Sequence, residues 1–290
     1  MRTSLLPCPL SPEGRARPRT FSRRLLGGSA LLAAVVSALA ACSATPHEAH
    51  HAETPAPLAQ SDWVQASDLA DLGDTPGWRH QRYGQQRPTD YEPGHHQGRA
   101  ALRARSEAGN STLRLPLARA VEPLLRLRFS WFVPRLNDSA DLRDADIDDA
   151  VVRVILTFDG DRSAFRARDH LLSEIVQLVT GEPLPQATLM YVWDHRYPVG
   201  TVIANPHTER IRMLVVQSGA EGLGRWSDIE RDVEADYRLA FGEAPGRVTG
   251  LGLMSDSNNT GETVQAWFGP LAVKALGRAV PGSEARVQTE

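Results

Sequence analysis

Four aspartates in this sequence are placed where acid chemistry is conceivable: Asp148, Asp149, Asp194 and Asp256. Two carboxylates on either side of a glycosidic bond act as acid and base in polysaccharide cleavage. Asp148 and Asp149 are adjacent, and successive strand residues point to opposite sides, so they form a side-by-side pair only within a turn. We therefore treat the four as catalytic candidates. The alternative is that each caps a turn or pairs with an arginine.

Three aspartate-bearing segments, 146–149, 193–196 and 256–259, fall at the ends of predicted strands, near Arg153 and Arg210. A sheet interior cannot hold unpaired polar groups, so these groups collect at strand ends and loops. We expect at least two of the segments to meet around Arg153 or Arg210 in a hydrogen-bonded ion network. Such a network either fixes loop geometry or binds a ligand.

The segment 256–261 copies the first half of a calcium loop. Asp256, Asn258 and Thr260 supply oxygens at alternate positions and Gly261 stands sixth. The twelfth position is Trp267, which supplies no carboxylate. The pattern favours an Asx-rich turn that needs no ion, with calcium as the alternative. We expect no other metal and no cofactor.

Aromatic side chains offer a second kind of site, because a ring can stack on a ligand while charged neighbours supply hydrogen bonds. The candidate ligand-binding residues are Trp131, Arg153, Tyr191, Trp193, Asp194, Arg210, Asp256, Asn258, Asn259 and Trp267. The alternative is that the alternating tryptophans form the core.

Composition removes several function classes. The 290 residues carry a formal net charge of −3, so a nucleic-acid binder driven by bulk charge is excluded. The two cysteines, Cys8 and Cys42, precede the body of the protein. This excludes a disulfide-stapled scaffold and a cysteine nucleophile there.

The N-terminus predicts export. An arginine-rich stretch leads into an apolar run over residues 25–40, and residues 39–42 read Leu-Ala-Ala-Cys, which resembles a bacterial lipobox. We expect a leader over residues 1–41 and a lipid on Cys42 that anchors the protein to the membrane. The protein would then face the periplasm, at the outer membrane. The alternative is an ordinary secretory signal cleaved near Ala41.

Residues 42–60 contain several prolines and no apolar periodicity, as expected of a flexible tether. His47 opens an H-E-x-x-H pattern there, the spacing of a zinc-binding helix. Prolines at 46 and 55 and the lack of an apolar face argue against such a helix. We expect no catalytic zinc at this place.

The rest of the chain reads as β-structure, with β-branched and aromatic runs separated by Gly, Pro, Asn and Asp. The predicted strands are 99–106, 111–117, 124–134, 150–158, 187–193, 209–218, 247–255 and 263–273. The predicted helices are 163–180 and 228–241. This order favours an all-β sandwich or jelly roll with one or two short helices in its connections. We expect one domain over 61–276 and a frayed tail over 277–290.

Several blocks together carry a family resemblance. Residues 191–201, 205–212, 255–261 and 266–269, with the upstream segment 147–154, are similar to the bacterial family named domain of unknown function 3047. The resemblance covers about residues 78–268. It implies an exported β-sandwich without an assigned activity. Asn258 departs from the family, which tends to have aspartate there.

Two hypotheses on function follow. The first is a non-catalytic envelope lipoprotein whose β-sandwich binds a saccharide or another envelope component. The second is a periplasmic polysaccharide hydrolase or lyase that uses paired carboxylates. Exposed tryptophan rings without two facing carboxylates would favour the first.

Overall fold

The computed structural model describes residues 56–163 and 165–276. The predicted leader, the predicted lipidation site at Cys42, the His47 motif and the predicted tail over 277–290 lie outside these residues. The described part of the predicted tether folds as helix α1, Ala56–Ala59, and Leu58 is buried in the core. The prediction that the tether extends to residue 60 is therefore corrected, because an apolar side chain within it packs on the domain.

Two sheets build the fold, as the alternating sequence pattern predicted. The strands are β1 (Arg79–Arg82), β2 (Asp90–His96), β3 (Arg99–Glu107), β4 (Ser111–Val121), β5 (Leu125–Phe132), β6 (Arg153–Phe158), β7 (Ala187–Asp194), β8 (Val202–Asn205), β9 (Thr208–Ser218), β10 (Trp226–Asp232), β11 (Val248–Met254), β12 (Thr263–Phe268) and β13 (Ala272–Ala275). Seven form one sheet in the order β1-β4-β11-β6-β7-β9-β8. The other sheet runs β10-β5-β12-β3-β2, with β13 also paired to β5.

The core lies between the inner faces of the two sheets. Along β5, Leu127, Phe129 and Trp131 are buried within it, whereas Arg126 and Arg128 lie on the outer face. This alternation is the period of two expected of a strand with one buried side. The protein is therefore a β-sandwich, and the predicted fold class is confirmed.

A second, smaller apolar cluster covers the outer face of the seven-stranded sheet. Val192, Met213 and Val215 pack there against Leu142 and Ala150. The last two belong to the long connection from β5 to β6, over residues 133–152. This connection is the element that positions Asp148 and Asp149.

The helices occupy connections. Besides α1 they are α2 (Asp62–Gln65), a 3-10 turn (Ala70–Leu72), α3 (Ala167–Thr180) and α4 (Val233–Phe241). The prediction of a helix from residue 228 is corrected, because 226–232 form strand β10 and Asp232 then caps α4 by accepting from the Ala235 N–H at 3.0 Å. Among the described residues, no helix combines the length and the apolar character needed to cross a membrane.

Candidate functional site

Arg153 is the centre of the predicted ion network. It begins β6 on the outer face of the seven-stranded sheet and is only 3% exposed. Its Nε and Nη2 donate to the two oxygens of Asp256 at 2.9 and 3.0 Å, a bidentate pair. Nη2 also donates to the backbone carbonyl of Asp148, and Nη1 lies 3.0 Å from Sδ of Met213. The guanidinium thus has a partner on every side.

The two loop segments are joined mainly through Asp149. Its carboxylate accepts from the backbone N–H of Asn259 at 3.2 Å, and from the N–H and hydroxyl of Thr260, each at 2.7 Å. Asp148 accepts from the Asn259 amide at 3.0 Å, and Asp256 accepts from the Ala150 N–H at 3.2 Å. The prediction that at least two of the three segments meet around Arg153 or Arg210 is confirmed, because segments 146–149 and 256–259 meet around Arg153.

Burial raises the pKa of Asp148 above the ordinary aspartate value, and the nearby Arg153 only partly opposes this. Asp148 is also the least buried of the three acids in the network. Its Oδ2 lies 3.5 Å from the Asn205 amide, so both oxygens face protein donors. Protein donors thus face all three of these carboxylates.

The residues considered as calcium ligands, Asp256, Asn258 and Thr260, belong to this same network or lie beside it. Arg153 holds both oxygens of Asp256, and the Thr260 hydroxyl donates to Asp149, so an ion there would have to displace protein partners. The described residues contain no group of three or more His, Cys, Asp or Glu side chains placed to hold a metal. Two polar atoms in this region, Oδ1 of Asn258 and Oγ of Ser255, are buried without a hydrogen-bond partner in the described part of the chain.

The remaining charged candidates lie outside this network. Asp194 ends β7 and caps its own turn, accepting from the N–H groups of Arg196 and Tyr197 at 2.6 Å each. Arg210 donates to the Gln186 carbonyl at 2.7 Å and to Glu243 at 3.1 Å. Segment 193–196 therefore makes no direct contact with Arg153, and Arg210 serves a different part of the sheet.

Three aromatic candidates are core residues. Trp131, Tyr191 and Trp193 are each at most 1% exposed, and their polar atoms donate within the protein: to Gln217, Asp236 and the Gly219 carbonyl, respectively. The expectation that these rings stack on a ligand is corrected, because the alternation of β5 and β7 turns them toward the opposite sheet.

Trp267 is placed differently. It lies on β12, as predicted, but its side chain is half-buried on the outer face of the six-stranded sheet. The strand register aligns it with neighbours on both sides, forming one row across the sheet. This row, which we call the aromatic row, is Trp226, Phe132, Trp267, Arg103 and Glu92.

His96 completes the aromatic row. Its ring stacks on Trp267 with centroids 3.9 Å apart and planes 15° from parallel, and Phe132 meets Trp267 edge-on at 5.6 Å. Burial lowers the pKa of His96, so the ring is neutral near pH 7. In the described structure its Nε2 is buried without a partner.

An open pocket of about 300 Å³ lies over this stack. Its lining residues are Glu92, Pro93, Gly94, His95, His96, Ala101, Arg103 and Trp267. A side chain at Gly94 would meet no atom within 4 Å, so the pocket is open above the backbone of β2. Arg103 donates to Glu92 and Asp90 at the rim.

Beside the pocket, Arg99 lies over the Trp226 ring at 5.2 Å and donates to both oxygens of Asp228. The surface thus combines flat apolar rings with exposed charged donors and acceptors. Sequence reasoning found only Trp267 of this surface. Residues 226–232 are mostly charged and show no apolar alternation, so the sequence carried no clear signal that β10 is a strand.

A second groove, of about 320 Å³, lies on the outer face of the seven-stranded sheet, beside α3. Its floor is mainly apolar, with Ile155 and Met190 among the lining residues. Arg114 and Glu182 pair at 3.0 Å among its polar groups. Tyr83 supplies its aromatic ring, and burial raises the pKa of that phenol.

A family model described as "Protein of unknown function (DUF3047)" matches residues 76–272. This range contains both the Arg153 network and the aromatic row. No curated protein matches the sequence.

Several solved structures resemble the fold at low identity. The family 11 carbohydrate-binding module of a cellulosomal cellulase of Clostridium thermocellum is 7% identical, with a TM-score of 0.34, over 71% of this chain and 91% of its own. The xyloglucanase domain of NopAA, a type three effector from Sinorhizobium fredii, is 8% identical, with a TM-score of 0.37, over 69% and 94%. The cellulose-induced protein Cip1 is 9% identical, with a TM-score of 0.31, over 72% and 96%.

Proposed function

The chain belongs to the DUF3047 family, which brings no activity with it, and we propose that it is a non-catalytic, lipid-anchored envelope protein that binds a saccharide on the aromatic row. One observation carries this proposal. The stacked rings of His96 and Trp267 form the floor of an open pocket whose rim holds Glu92 and Arg103.

The chemistry of this surface suits a sugar. A pyranose presents a C–H face that packs on a flat ring and an equator of hydroxyls that seek hydrogen bonds. Here the indole supplies the flat surface, and the carboxylate and guanidinium at the rim supply an acceptor and donors.

Binding is favoured over cleavage by the placement of the acids. Glu92 is the one carboxylate among the described residues that line the pocket, and it is paired with Arg103. Hydrolysis by acid and base requires two carboxylates across the bond. The four aspartates first considered accept hydrogen bonds from other parts of the protein and lie apart from the aromatic row.

The lipid anchor is proposed from the sequence alone, through Cys42 after the Leu-Ala-Ala triplet. Replacing Cys42→Ala is expected to move the protein from the membrane fraction to the soluble envelope fraction. Retention of the variant in the membrane fraction would argue against acylation at this residue.

The saccharide site is tested by binding to a panel of envelope and plant polysaccharides, first on a glycan array and then by calorimetry with the best ligand. Trp267→Ala removes the stacking surface, and Gly94→Val adds a side chain to the pocket at a position where a Cβ meets no atom within 4 Å. We expect each to weaken binding at least about tenfold, or ~1.4 kcal/mol. Thr263→Val, on the same strand as Trp267 but outside the pocket lining, is the matched control and is expected to bind normally.

Equal binding by all three variants would remove the proposal. Release of shortened saccharide by the wild type, abolished by Asp148→Asn, would instead establish the hydrolase hypothesis.

A further inference from the structure

Helix α3 exposes four large apolar side chains to solvent, although a helix that packs on a sheet normally turns its apolar side toward the sheet. Leu171, Ile175, Leu178 and Val179 are 59%, 49%, 86% and 51% exposed. Their spacing of four, three and one residues places them in one stripe along the helix. We call these four residues the α3 stripe.

The side of α3 that faces the protein carries two buried polar residues, Asp169 and Ser173, beside the partly buried Val176. Asp169 accepts from the Thr208 hydroxyl at 2.6 Å, and the Ser173 hydroxyl accepts from the Leu184 N–H at 3.1 Å. Asp169 also accepts from the Arg166 N–H at the start of the helix. Turning the stripe inward would break these bonds and leave the buried Thr208 hydroxyl and the Leu184 N–H without their partners. The helix is therefore fixed with its apolar stripe toward the outside.

The stripe is a contiguous exposed apolar surface of the kind that marks a contact with another body. Three arginines, at 162, 166 and 168, lie at the N-terminal end of α3. The acidic residues nearby are Glu174 on the helix and Glu209, which pairs with Arg166 and Arg168. α3 itself carries Arg168 against Asp169 and Glu174, so its contact with a lipid interface would come from the apolar stripe, with the arginines at its N-terminal end near the headgroups.

The chain outside the described residues favours the same partner. About 14 residues separate Cys42 from Ala56, a span of at most ~50 Å when fully extended. An acylated Cys42 would therefore keep the domain close to a bilayer. At such high effective concentration even a short apolar stripe associates with the surface.

We propose that α3 rests on the bilayer surface, with the α3 stripe among the lipid headgroups and acyl boundary. This inference rests on the proposed anchor and deepens the proposed function. Val176 and Thr180 of α3 line the groove on the outer face of the seven-stranded sheet, whereas Trp267 lies on the outer face of the six-stranded sheet. Docking through α3 therefore directs the saccharide pocket away from the membrane.

The test uses the acylated protein in vesicles of equal parts phosphatidylethanolamine and phosphatidylglycerol. The chain has cysteines only at 8, in the predicted leader, and at 42, so Leu178→Cys introduces a single labelling site in the acylated protein. A polarity-sensitive fluorophore there is expected to shift to the blue and to be quenched by nitroxide-labelled lipids. The same probe at Thr263→Cys, exposed on the six-stranded sheet, is the matched control and is expected to show neither effect.

Equal signals from the two positions would overturn the proposal. So would a disulfide dimer formed through Leu178→Cys, because the stripe would then face a second copy. Calorimetry with the saccharide on the same samples separates the two proposals, since loss of membrane contact leaves the pocket intact. If the protein without the Leu178→Cys substitution is labelled at Cys42, then this thiol is free and the proposed lipid anchor is missing.

Discussion

The Arg153 network and the aromatic row both contain charged groups on outer sheet faces, yet they differ in how deeply these groups are buried. Around Arg153 each carboxylate faces one or more donors from the protein, and Arg153 and Asp256 are almost fully buried. Around Trp267 the rings of Trp267, Trp226 and His96 are only partly buried, and the space above the strand backbone at Gly94 is open.

This difference distinguishes polar groups that stabilise the fold from polar groups that are available to bind a ligand. A buried network whose charged groups pair with one another fixes the loops it joins, whereas partly exposed rings beside rim charges leave interactions for a ligand. Changes in the network should therefore reduce stability, and changes in the aromatic row should reduce binding. Each prediction below tests that separation.

The largest effect is expected for Arg153→Met. Removing the guanidinium leaves Asp256 buried without its partner, which costs about 3–5 kcal/mol of unfolding free energy. Urea denaturation measures this loss. Adding Asp256→Leu to the same chain removes the orphaned charge and is expected to recover a large part of it.

Arg128→Met is the matched control, because Arg128 pairs with Glu230 on a solvated sheet face. Its expected cost is at most about 1 kcal/mol. Equal losses for the two arginine variants would show that the Arg153 pair is no more important than a surface pair.

A smaller loss is expected for Asp149→Asn. The change removes one charged acceptor from Thr260 and Asn259 and costs about 1–3 kcal/mol. Thermal unfolding should shift down by several degrees. Saccharide affinity of the folded variant is expected to stay unchanged, and a selective loss of affinity would instead make Asp149 part of a binding site.

The sequence was informative where a local rule determines structure. Alternation along β5 predicted a strand with one buried face, and the apolar run over 187–193 predicted β7. The meeting of Asp149 and Asp256 at Arg153 was predictable because polar groups collect at strand ends. These inferences need no knowledge of which strands are neighbours.

The aromatic row could not be derived in this way. β2 contains Pro93, Gly94 and two histidines, and β10 is mostly charged, so neither shows the apolar alternation of a strand. Pairing with β3 and β5 supplies their hydrogen bonds. The row depends on cross-strand register, which is set by tertiary structure rather than by local pattern.

The smallest effect is expected from acidification, and it concerns His96. Burial lowers the pKa of this ring below its usual value near 6.5, so the folded state binds a proton less readily than the unfolded state. The stability contributed by the neutral ring is therefore present above about pH 6.5 and is lost as the pH falls through the folded-state pKa. Protonation also favours hydration of the unpartnered Nε2 and opens the stack on Trp267. We expect saccharide affinity to fall by less than about tenfold between about pH 7.5 and pH 5.

His96→Phe keeps an aromatic ring but cannot titrate, so its affinity should not change over this range. His207→Phe, at an exposed position outside the pocket lining, should retain the wild-type pH dependence. If acid sensitivity instead persists in His96→Phe, a group other than the stacked imidazole controls it, and the proposed role of the His96–Trp267 stack in ligand binding loses its support.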